Sequence, residues 1–298
     1  MTTVAVTPEL LARHPLPDHG TESSKNERGT ALIVGGCREV PGGLVLAGLA
    51  ALRAGAGSLQ VASVEPVTIP IAMALPEARV NALPADAEDH FPEAGCERLA
   101  ELAGEADAVL VGTATLAPAA TGRLLSAVMD ATRDGRSVLV VDAGALPSLA
   151  DRAAPAVSPA TVLMPNPVEM GHLLGTGLDE VTSEPRRSVH TAVGRFGCTV
   201  ALRGAQTWIA SPDEHTYHDT SGTTGLAASG SGDVLGGLIA GYAARGARPI
   251  DAVLWATLVH GVAGERCSAE IGHLGFLARE LVDALPAAER SIRSCASA

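Results

Sequence analysis

Aromatic side chains are nearly missing from this chain of 298 residues: three Phe, two Trp and two Tyr, or 2%. Single-stranded nucleic-acid binding needs exposed aromatic faces together with positive charge, so the composition argues against it. Lysine is scarcer still, since Lys25 is the only one. With a net charge of −12 and no run of Lys and Arg, nucleic acid and anionic membrane are poor partners. Five cysteines (Cys37, Cys96, Cys198, Cys267 and Cys295) are scattered with no metal or redox spacing, so reduced thiols in a cytoplasmic protein are expected. Long apolar runs are also lacking: stretches such as 44–52 are too short, and too rich in Gly and Ala, to span a bilayer. The opening MTTVAVTPELLARHPLP has no positive start followed by an apolar run, so no signal peptide is expected.

What is present is the composition of a globular enzyme, 47% hydrophobic and 18% charged, with Ala, Val and Leu left to fill the core. Short β-branched runs at 31–34, 58–64, 108–111, 137–141, 161–164 and 199–203 alternate with helical stretches. The helices are expected near 43–54, 94–103, 119–133, 167–174 and 185–195. Near-continuous apolar strands separated by helices predict an α/β fold with a parallel sheet covered on both faces. After residue 203 the pattern changes to an antiparallel edge hairpin, near 206–210 and 214–218, then helices near 232–245, 250–265 and 274–284. We expect a polar lead-in at 1–29, one α/β domain at 30–288 and a tail at 289–298.

The most informative segment is Ser221-Gly-Thr-Thr-Gly-Leu-Ala-Ala-Ser-Gly-Ser-Gly-Asp233, which runs directly into an apolar helix. Glycines allow positive φ and let a ligand approach the main chain. The first turn of a helix leaves amides unpaired, and its dipole favours an anion there. Each charge-assisted amide contact to a phosphate contributes about 1.5–3 kcal/mol. A carboxylate beside polyphosphate is repelled, so Asp233 is an odd choice for binding alone. It suits a base that takes a proton from a hydroxyl as that oxygen attacks phosphorus. The competing reading is a helix cap among packing glycines.

Gly230-Ser-Gly-Asp233 and the helix after it resemble the anion-hole and catalytic motif of the ribokinase-like superfamily. The wider chain, from about 25 to 286, resembles one branch, the ADP-dependent NAD(P)H-hydrate dehydratases (the YjeF C-terminal domain family). The segments that carry the likeness follow the family's order. They are Lys25 with Gly29-Thr-Ala-Leu-Ile-Val-Gly-Gly and Pro41-Gly, Arg53-Ala-Gly-Ala-Gly, and Val141-Asp-Ala-Gly-Ala-Leu146. Then come Met164-Pro-Asn-Pro-Val-Glu-Met170, Arg203-Gly-Ala-Gln-Thr207 and His260-Gly-x-Ala-Gly264.

The resemblance implies a ribokinase-like three-layer α/β/α sandwich and a metabolite-repair activity. Family members use ADP, or ATP in eukaryotes, with Mg²⁺ to dehydrate the S-epimer of hydrated NADH or NADPH. Phosphorylation turns the poor hydroxide leaving group into a good one, and elimination restores the dihydronicotinamide. By this likeness Asp233 is the catalytic base and also touches substrate, while amides of Gly230, Ser231 and Gly232 hold the transferred phosphoryl group. Arg203, Gly204, Ala205, Gln206 and Thr207, with Gly232, match nucleotide-binding positions. Gly43, Ala114 and Asn166 match positions near the hydrated dinucleotide, and no residue is assigned as a metal ligand. Homo-oligomers are common among relatives.

The departures cluster on the substrate side. The family's Gly-Pro-Gly-Leu-Gly loop is Gly112-Thr-Ala-Thr-Leu116 here, the second Asp of its Asp-Ala-Asp string is Gly144, and its motif His is Asn166. Its next Gly is Val168, its Asn-Pro pair is Thr223-Thr224, and its Lys is Arg203. Two other readings therefore stay open: a ribokinase-like kinase of a small alcohol, and a catalytically silent member with a binding role. Among single residues, Lys25 is a ligand or a solvated side chain, and Glu169 orients Mg²⁺-bound water or substrate, or favours a helix start. Asp142 lies at a strand end where α/β sheets place ligands and is a candidate for the substrate or metal shell, or it caps a helix. His260 reads as a satisfied core histidine, and His215 with His218 lacks partners for zinc.

Overall fold

The computed structural model describes residues 3–20, 23–88, 90–150, 157–212 and 215–296. Ten strands form one sheet: β1 (Thr3–Ala5), β2 (Thr30–Gly35), β3 (Ser58–Val64), β4 (Ala78–Leu83), β5 (Ala108–Thr113), β6 (Val138–Val141), β7 (Thr161–Leu163), β8 (Thr199–Leu202), β9 (Thr207–Ala210) and β10 (Thr216–Asp219). Their order is β1-β10-β9-β8-β7-β6-β5-β2-β3-β4. Only β9 runs against its neighbours among the described residues; every other pairing is parallel. The central strands β5 and β6 are buried along their whole length, as their unbroken apolar runs require when helices cover both faces.

The helices are α1 (Pro8–Leu11), α2 (Gly42–Arg53), α3 (Thr68–Ala74), α4 (Cys96–Glu105), α5 (Pro118–Ala131), α6 (Pro167–Leu174), α7 (Leu178–Ser183), α8 (Pro185–Phe196), α9 (Ser231–Ala244), α10 (Pro249–Glu270) and α11 (Ala278–Ala296). On one face α9 lies across β2, β5 and β6 and packs against α2, α10 and α11. On the other, α4 packs on α5, while α6, α7 and α8 pack on one another. The result is the three-layer sandwich expected.

The lead-in contributes structure of its own. β1 pairs parallel with β10, so the antiparallel hairpin is not the outermost strand of the sheet. Leu10 and Leu11 of α1 are buried, and Trp255 Nε1 donates to the His14 carbonyl at 2.7 Å. Three-residue strands and one-turn helices carry no periodicity, which is why this segment reads as a simple approach. Residues 289–296 of the expected tail are the end of α11, while its residues 297–298 and residue 214 of the expected hairpin lie outside the described residues. The pair α3 and β4 was also missed. Ile69 and Met73 of α3 face outward, and β4 alternates polar with apolar at the sheet edge, so neither shows a buried run.

Candidate active site

The site forms where the C-terminal ends of β5, β6 and β8 meet the first turns of α2 and α9. Gly230 precedes α9 with a φ of 88°, a left-handed conformation that glycine adopts without strain. No side chain caps this helix, so the first-turn amides of Gly232 and Asp233 have no side-chain acceptor. Behind them, His260 of α10 is buried, with Nε2 3.0 Å from the Ser231 carbonyl and 3.1 Å from Ser231 Oγ. A carbonyl only accepts, so Nε2 carries the proton and donates. Burial above all, opposed by the Ser231 bond and helped by Arg203, lowers this imidazole's pKa to about 4, so it is neutral at pH 7. His260 thus supports the turn from inside.

Three predicted residues meet at the mouth of this turn. A Cβ built on Gly43 of α2 would lie 2.9 Å from Ala114 Cβ and 3.1 Å from Asp233 Oδ2. The absent side chain at 43 therefore leaves the Asp233 carboxylate room beside Ala114. Burial, followed by the nearby Asp142 charge, lifts the Asp233 pKa to about 6 against the lowering effect of Arg203. That is a carboxyl tuned toward neutral pH, where general bases work best.

Arg203 reaches the centre from the end of β8. Its Nε donates to the Met164 carbonyl at 2.7 Å, and its Nη2 donates to Asp142 Oδ1 at 2.7 Å. Gly204, Ala205 and Gln206 form the exposed turn that follows, Thr207 opens β9, and Gln206 Oε1 lies 2.8 Å from His218 Nε2. Asn166 caps α6: its Oδ1 accepts from the amides of Val168 at 2.9 Å and Glu169 at 3.0 Å. Glu169 Oε2 accepts from the Asn166 amide in return, at 2.8 Å. This capping box was legible in the Asn-x-x-Glu spacing and leaves only the Asn166 amide hydrogens for a ligand. Asp142 is 2% exposed and makes no side-chain cap; it is an ion-pair partner. Lys25 is exposed and opens the turn at 25–28.

Among the described residues no group of three His, Cys, Asp or Glu is gathered to hold a metal ion. Mg²⁺ takes oxygen ligands, and nucleotide phosphates supply them. A groove of about 560 Å³ lined by Arg53, Arg290 and Arg293 opens at the far, C-terminal end of α2, away from this chemistry.

The family model described as NAD(P)H-hydrate dehydratase matches residues 31–287. The ADP-dependent (S)-NAD(P)H-hydrate dehydratase of Xanthomonas campestris is 39% identical over 94% of each chain. The chain belongs to the NAD(P)H-hydrate dehydratase family. A crystal structure of the Bacillus subtilis ADP/ATP-dependent NAD(P)H-hydrate dehydratase, grown with ATP/Mg2+, superposes with a TM-score of 0.84 at 29% identity, covering 98% of this chain and 99% of that one. The bifunctional NAD(P)H-hydrate repair enzyme of Thermofilum pendens is 33% identical over 94% of this chain, which spans 53% of that protein.

Two departures from the family pattern are physically coupled. Thr115 Oγ1 donates to the Gly112 carbonyl at 2.8 Å, and there it fills the space that any Cβ at 144 would take. A Cβ on Gly144 would also lie 3.0 Å from the Thr115 carbonyl. Thr115, which stands where the family string has Leu, thus fills the room that a side chain at 144 would need. Ala114 keeps a left-handed φ of 57°, as does Ala143 at 45° on the adjacent strand end. Such conformations cost a non-glycine residue about 1–2 kcal/mol and cluster at functional sites. We expect Gly144→Ala to destabilise the fold by about 1–3 kcal/mol through overpacking. Urea unfolding of Gly144→Ala, Thr115→Ala and the double variant checks this: the double should cost less than the sum of the singles.

Proposed function

We propose that this protein is an ADP- or ATP-dependent (S)-NAD(P)H-hydrate dehydratase. The observation that carries the reading is the Asp233 carboxylate at an uncapped, glycine-led helix start, facing Gly43, in a chain that matches this family along nearly its whole length. The hydrated dinucleotide is taken to enter past Gly43 and Ala114, with Asn166 donating from its amide nitrogen. The nucleotide is taken to lie between the turn from Arg203 to Thr207 and the amides of Gly230, Ser231 and Gly232. When bound with Mg²⁺, it supplies the phosphoryl group.

Asp233 accepts the hydroxyl proton as that oxygen attacks phosphorus. The amides and the α9 dipole hold charge that develops on the transferred group. The phosphorylated hydroxyl then leaves as phosphate, with loss of the neighbouring ring proton, and the dihydronicotinamide is restored. The five cysteines are free and three are buried, which fits a reducing compartment, and we place the reaction in the cytoplasm. No helix among the described residues is long and apolar enough to cross a membrane.

The test is recovery of NADH from its hydrate with ADP and Mg²⁺, followed by absorbance. A stable phosphorylated product with no NADH would replace this reading with that of a kinase, and no turnover would replace it with a binding role. The pH profile of the same assay is a second check. Because Asp233 acts as a base with a pKa of about 6, kcat/KM should fall about tenfold per pH unit below that value and level off above it.

A further inference from the structure

The groups that surround Asp233 include an ion pair between Asp142 and the Arg203 side chain, to which the reaction above gives no part in the proton transfer. Asp142 follows β6 and Arg203 follows β8, with β7 between those strands, so the Arg203 side chain crosses over the end of β7. Its guanidinium is fixed at the Met164 carbonyl and at Asp142 Oδ1, both 2.7 Å away, and its main-chain amide donates to Pro165 at 2.8 Å. Glu169 Oε2 of α6 stands 3.6 Å from Nη2. The other fork nitrogen, Nη1, abuts Gly232: a Cβ built there would overlap it and lie 3.5 Å from Cζ. Asp142 Oδ2 lies 3.9 Å from a Cβ built on Gly236, one turn further along α9. The guanidinium therefore sits beneath the first turn, which carries Asp233, and the Asp142 carboxylate beneath the turn that follows it.

We propose that Asp142 and Arg203 are joint positioning residues. The ion pair pins the guanidinium under Gly232, and its two opposite charges decide how readily Asp233 holds a proton. This inference rests on the reading of Asp233 as the base.

A planar fork reaches a carbonyl, a carboxylate and the helix start at once, whereas a lysine ammonium is a single point on a flexible stem. That accounts for arginine at 203 in this chain. The remaining ionisable groups facing this turn are Glu169 of α6 and the neutral His260 of α10. Gly43 of α2 and Ala114 after β5 bring none. Burial raises the Asp142 pKa, and the guanidinium in contact with it opposes that rise. Burial likewise raises Glu169.

The two partners act on Asp233 with opposite signs, which a merely structural role would not produce. Asp142→Asn removes a negative charge and frees the guanidinium, so Asp233 should titrate at lower pH. Arg203→Gln removes the positive charge, so Asp233 should titrate at higher pH. Each shift should be about one pH unit, the size expected for a charge at this range. Arg203→Lys should return the titration toward wild type while the nucleotide KM rises, because the charge is kept and the fork is lost.

The experiment reads the Asp233 carboxyl directly by carbon-13 NMR in aspartate-labelled protein, assigned with Asp233→Asn, beside the pH profile of kcat/KM. Opposite displacements in the two single variants support the proposal. Displacement in one direction, or none, overturns it. Each single variant leaves a buried charge unpaired and can lose its fold, which thermal melting detects. The double variant Asp142→Asn/Arg203→Gln carries neither charge, and its Asp233 titration should lie between those of the singles; a value outside them, or equal to either, overturns the proposal as well. If Asp233→Asn keeps its turnover, the base reading fails by itself, and the NMR titration still decides whether the pair acts on the carboxylate.

Discussion

Asp233→Asn should abolish turnover, by on the order of 10³-fold or more, while the protein still binds adenine nucleotide. The substitution keeps the shape and the helix start with its free amides, and removes only the basic oxygen. Nucleotide binding should be unchanged or tighter, because a carboxylate facing phosphates repels them. The check is a pair of measurements: initial rates with the NADH hydrate and ADP, and a thermal-shift titration with ADP, ATP and AMP plus Mg²⁺. Saturating nucleotide should raise stability by a few kcal/mol in both proteins. A variant that binds nucleotide and turns over at the wild-type rate would falsify the assignment of Asp233 as the base.

The second large effect is expected far from any ligand. Gly237 faces α2 from the middle of α9, and a Cβ there would lie 2.8 Å from both the carbonyl carbon and the Cα of Ala47, with the Ala47 oxygen nearer still. The obstacle is backbone, so it cannot rotate away. Alanine gains about 1 kcal/mol of helix propensity over glycine, but overpacking against a main chain costs about 1–3 kcal/mol or more. The clash wins, and we expect Gly237→Ala to lose about 2 kcal/mol in urea unfolding. Activity should fall with it, since α2 carries Gly43 and α9 carries Asp233. Gly194 of α8 is the control, because a Cβ there meets nothing within 4 Å. Gly194→Ala should be stabilising by about 0.4–1 kcal/mol with activity unchanged.

Much of the fold was legible because its central strands are buried on both faces. β2, β5 and β6 read as apolar runs, and glycine follows α6 and α8 where a left-handed stop is needed. The same reasoning could not see β1, whose three residues are held by pairing with β10, more than two hundred positions away. It could not see α3 either, because its large apolar side chains Ile69 and Met73 are exposed, against the usual inward pattern. The candidate site divides in the same way. Gly230, Ser231, Gly232 and Asp233 are contiguous, so their chemistry shows in the string itself. Gly43 and Ala114 reach that string only through helix packing and a strand-end turn.

By itself, then, the sequence determined the alternation of buried strands and helices, the phosphate-type turn that ends in a carboxylate, and the family to which the chain belongs. Each of these is written in residues close together along the chain. Only the tertiary structure decided what surrounds the acid. Asp142 and Arg203 stand 61 positions apart and form a part-buried ion pair beneath the helix that carries Asp233, and Thr115 takes the room that a side chain at 144 would need. Charge and volume act through space, and the chain order does not record which distant groups share one low-dielectric pocket.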